Sequence, residues 1–82
     1  QSYFVTTNYG VALDAFKQLV SQFPQSDKTP DALLKVGYCQ IELKQVDAAK
    51  ATLKQVVAKY PGSDSASLAQ ERLQRLQIQA GG

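Results

Sequence analysis

The chain has 82 residues, 44% of them hydrophobic and 20% charged, with a formal net charge of +2. That is enough for one small globular domain and too apolar for a disordered tail, while the small charge gives no footprint for nucleic acid or anionic lipid. Histidine, tryptophan and methionine are absent and Cys39 is the single cysteine, which excludes histidine-dependent nucleophilic mechanisms, most zinc sites and an intrachain disulfide.

Residues 1–6 read as a helical stub. From Val11 to Phe23, the apolar residues Ala12, Ala15, Phe16, Leu19, Val20 and Phe23 recur at the spacing of one buried helix face. Pro24 stops that helix, because proline disfavours helical geometry in the residue before it. Thr29-Pro30-Asp31 then predicts a helix start: a capping hydroxyl, proline in the first turn and an acid on the positive end of the dipole. The helix that follows carries apolar residues on more than one face, from Leu33 to Leu43. Lys44-Gln45 is a break short enough to join two antiparallel helices. Ala49, Leu53, Val56, Val57 and Tyr60 form the stripe of a third helix, closed by Pro61-Gly62. Ser63, Asp64 and Ser65 offer caps for a fourth, whose stripe is Ala66, Ala69, Leu73 and Leu76. Its end is expected to fray from Gln77 onward. No stretch alternates with the period of a strand, and no run of apolar residues approaches the ~18 needed to span a membrane.

An internal repeat organises these elements. Shifted by 37 residues, Phe23-Pro24-Gln25-Ser26-Asp27 falls on Tyr60-Pro61-Gly62-Ser63-Asp64, with Ala12 on Ala49, Phe16 on Leu53, Ala32 on Ala69 and Val36 on Leu73. A helical period of this length signals a solenoid of stacked hairpins. Gly37 in mid-helix costs about 1 kcal/mol relative to alanine, which a closely crossing partner helix offsets. Ala49, twelve residues on, is the expected crossing point.

The residues Leu33, Val36, Gly37, Ala49, Leu53, Val56 and Pro61 resemble a tetratricopeptide repeat, with Gln40 where that family prefers tyrosine, Val56 where it prefers alanine, and Lys44 in place of the turn glycine. The resemblance implies an all-α superhelix of antiparallel hairpins. It divides the chain into the second half of a truncated repeat (1–27), a complete repeat (28–64), a terminal capping helix (65–79) and a disordered tail (80–82). In that register Gln1 falls inside a first helix, so the chain reads as a piece of a longer repeat array.

The longer linkers narrow the resemblance. Phe23-Pro24-Gln25-Ser26-Asp27 running on to Tyr38, and Tyr60 to Ser63 with Ser67 to Leu73, are similar to the C-terminal domain of the YbgF/CpoB family of Tol-Pal system proteins. That resemblance implies a periplasmic scaffold of a Gram-negative bacterium that binds TolA. It also implies coordination of outer-membrane constriction with the septal peptidoglycan synthase machinery during cell division. A tetratricopeptide scaffold of outer-membrane β-barrel assembly, whose linkers also read Tyr-Pro-x-Ser, is the alternative.

Catalysis is not expected, nor any cofactor or metal. Asp27, Asp31, Asp47 and Asp64 fall at helix starts, Cys39 reads as a small buried hydrophobe, and Lys50, Lys54 and Lys59 as a solvated face. For binding, the first helix of each hairpin lines a concave groove in this architecture. Carried over by motif position, the groove candidates are Phe4 and Val5, then Asp31, Leu34, Tyr38, Ile41 and Glu42, then Glu71, Arg75 and Ile78. Leu34, Tyr38 and Ile41 share one helix face, which is open to two readings: groove, or packing against a neighbouring hairpin. Apolar surface at Tyr3, Phe4 and Phe16 predicts self-association, so a homo-oligomer is a further expectation.

Overall fold

The structure, a computed structural model, describes the backbone of residues 9–81 and the side chains of residues 9–77. The stub expected over residues 1–6, including Tyr3, Phe4 and Val5, lies outside the described residues, as does the Ile78 side chain. Four helices follow one another: α1 (Tyr9–Gln22), α2 (Thr29–Glu42), α3 (Val46–Lys59) and α4 (Asp64–Gly81). Each packs on the next in the chain, and α2 also reaches α4. Among the described residues there is no strand. The fourth helix continues to Gly81, past both the fraying expected at Gln77 and the tail expected from residue 80.

Two clusters form the core, and α2 belongs to both. On one side Val36 and Cys39 pack with Leu13 of α1, bordered by Tyr9, Ala12 and Phe16. On the other, Leu33 and Leu34 pack with Leu53 and Val56 of α3 and with Ala66, Ala69, Leu73 and Leu76 of α4. Burying a leucine or valine side chain in this way stabilises the fold by about 1.5–3 kcal/mol each, so the second cluster holds most of the stability.

The hairpin of α2 and α3 brings a large side chain against Gly37. A Cβ placed there would lie 2.9 Å from Leu53 Cδ2 and 3.1 Å from Cγ. The crossing residue is therefore Leu53, with Thr52 beside it, and not Ala49. The reason is the turn: the hairpin doubles back around Lys44, so a residue seven positions before it meets those eight and nine after. Ala49 is fully buried nonetheless. One turn along, the buried Gln40 fills the position where a tyrosine is usual in such repeats, and its Oε1 lies 2.6 Å from the Thr52 hydroxyl. That pairing satisfies both polar groups inside the hairpin.

The connections explain the helix boundaries. Lys44, in the α2–α3 turn, has φ +68°, a left-handed conformation that costs a non-glycine residue about 1–2 kcal/mol. Thr29 does not cap α2 as expected. The cap residue is Lys28, with no side-chain cap bond, and the Thr29 hydroxyl instead donates to the Phe23 carbonyl. Pro30 sets this start, because beginning the helix earlier would place its missing N–H where an intrahelical bond is required. In the matching linker Ser63 is a true cap: its hydroxyl donates to the Tyr60 carbonyl at 2.7 Å and accepts the Ala66 N–H at 3.0 Å. No proline follows there, and α4 starts at Asp64.

Candidate functional site

A groove of about 420 Å³ runs along the outer side of the first cluster. Its floor comes from α1, where Tyr9, Ala12 and Phe16 are half-buried. These residues have the spacing of one helix face, and in the 37-residue register they fall on Val46, Ala49 and Leu53, the stripe by which α3 packs on α2. One wall is α2, through Lys35, Tyr38, Cys39 and Glu42; Arg72 of α4 closes the other side.

The charges along α2 are ordered. Asp31 and Lys35 form an exposed pair at 3.4 Å, one helical turn apart, worth about 0.3–0.5 kcal/mol. Lys35 Nζ also lies 5.8 Å from the centre of the Phe16 ring. Further along, the Arg72 guanidinium carbon sits 4.8 Å from the centre of the Tyr38 ring, a cation–π contact between helices of successive hairpins. At the end of the groove, burial pushes the Cys39 thiol up from its ordinary pKa, and the Glu42 carboxylate adds to the effect. A buried, protonated thiol is a poor nucleophile. Among the described residues no group of three histidine, cysteine, aspartate or glutamate side chains gathers to hold a metal.

The expected groove residues divide. Asp31 and Glu42 are exposed on α2, with Glu42 in the groove wall. Tyr38 is half-buried: one part packs on the second core cluster and its ring lines the groove. Leu34 is a correction. It is 2% exposed and sits in the second cluster among residues of α3 and α4, so it meets no ligand. Ile41 packs against the same cluster and is half-buried. The shared face of Leu34, Tyr38 and Ile41 is thus mainly core, because α4 lies over it. Glu71 and Arg75 are exposed on α4. Sequence reasoning missed Arg72, Lys35 and the α1 floor. The signal for Arg72 was present, since it falls on Lys35 in the 37-residue repeat and so shares its wall position.

The tetratricopeptide repeat pattern matches residues 1–26 and 31–63, more than half of the chain. The chain belongs to the tetratricopeptide repeat family. The second matched stretch covers the α2–α3 hairpin and its closing linker, so the crossing of Gly37 under Leu53 is the packed centre of one repeat. No curated protein sequence matches the chain. Tetratricopeptide repeats are protein-interaction modules, and a groove with an apolar floor and charged walls is what such a module offers a partner.

Proposed function

We propose that this repeat domain acts in the periplasm of a Gram-negative bacterium as a scaffold that binds TolA, and so couples outer-membrane constriction to the septal peptidoglycan synthase machinery during cell division. The observation that carries the reading is the pair of linkers, Phe23-Pro24-Gln25-Ser26-Asp27 and Tyr60-Pro61-Gly62-Ser63-Asp64, with the similarity that extends from them into α2 and α4. The groove beside Tyr38 supports it by supplying a surface on which a protein segment can be held. Tyrosine is a frequent anchor of such surfaces, and its truncation typically costs 2 kcal/mol or more of binding energy at a hot spot.

Titration calorimetry with the periplasmic part of TolA tests this. The domain is expected to bind, and Tyr38→Ala to weaken binding by about tenfold or more while the helical circular-dichroism signal survives. Absence of binding by the unaltered domain overturns the TolA assignment; capture of the β-barrel assembly machinery in its place would give the alternative scaffold role. Unchanged affinity in a folded Tyr38→Ala variant moves the binding surface away from the groove.

A further inference from the structure

We draw no further inference here: the strongest candidate, the cleft of about 300 Å³ that α1, α2 and α3 form around Val20, Leu33, Gln40 and Thr52, carries nothing because its buried polar pair, Gln40 and Thr52, is bonded to itself and nothing in the structure shows what covers it.

Discussion

Helices α2 and α4 occupy equivalent places in successive repeats and use the same stripe in different ways. Thr29, Ala32, Val36 and Cys39 of α2 correspond to Ala66, Ala69, Leu73 and Leu76 of α4, and all eight are buried. That shared stripe packs each helix on the one before it. The second face is where they part. Leu33, Leu34 and Gly37, buried in α2, become the exposed Gln70, Glu71 and Gln74 in α4. One repeat position therefore carries two kinds of helix: α2, apolar on two sides, and α4, apolar on one side and polar on the other.

The sharpest test of that contrast truncates one corresponding pair. Leu34→Ala is expected to cost about 3 kcal/mol, as for other buried leucines, and Glu71→Ala less than about 0.5 kcal/mol, as for exposed sites. Urea midpoints would show the difference, and equal losses would break the comparison. A second pair sharpens it. Gly37→Ala gains about 1 kcal/mol of helix propensity, but its methyl group meets the fully buried Leu53, and overpacking costs about 1–3 kcal/mol. The net expectation is a loss of about 1 kcal/mol in that variant, against no loss in Gln74→Ala.

The two turns extend the same logic to the backbone. Gly62 has φ +85° with nothing crowding it, whereas Lys44 holds a similar conformation with a side chain. Lys44→Gly is expected to stabilise by about 0.5–1 kcal/mol and Gly62→Ala to destabilise by about 1 kcal/mol, both from the left-handed penalty, read as shifts in melting temperature. The smallest effect concerns pH. Burial raises the Cys39 thiol in the folded chain, so the unfolded chain releases that proton first and stability falls as pH rises above the ordinary thiol pKa. Cys39→Ala is expected to lessen the alkaline fall in melting temperature; an unchanged slope would detach the thiol from it.

The helices were legible in the sequence because their apolar spacing and prolines are local signals. Val36, Leu53, Leu73 and the starts near Pro30 and Ser63 all follow from neighbours within a turn or two. The site was less so. Leu34 and Arg75 are both plausible groove residues from spacing alone, and only the placement of α4 over α2 buries the first and exposes the second. The Gly37 contact shows the same limit: a glycine marks close approach, but the turn geometry selects Leu53 over Ala49. Arg72 acquires meaning from the Tyr38 ring, a residue of a different helix.

The Tyr60 hydroxyl donates to the Pro24 carbonyl at 3.0 Å, across 36 residues. It pins one linker to the next, at points a single repeat apart. A coil of helices yields to force by altering the twist between turns, like a spring, and this bond restrains that angular play where α1 and α3 end. Phe23, at the matching position one repeat earlier, has no hydroxyl with which to do the same. One oxygen atom thus stiffens the superhelix against twisting beside the α2–α3 hairpin.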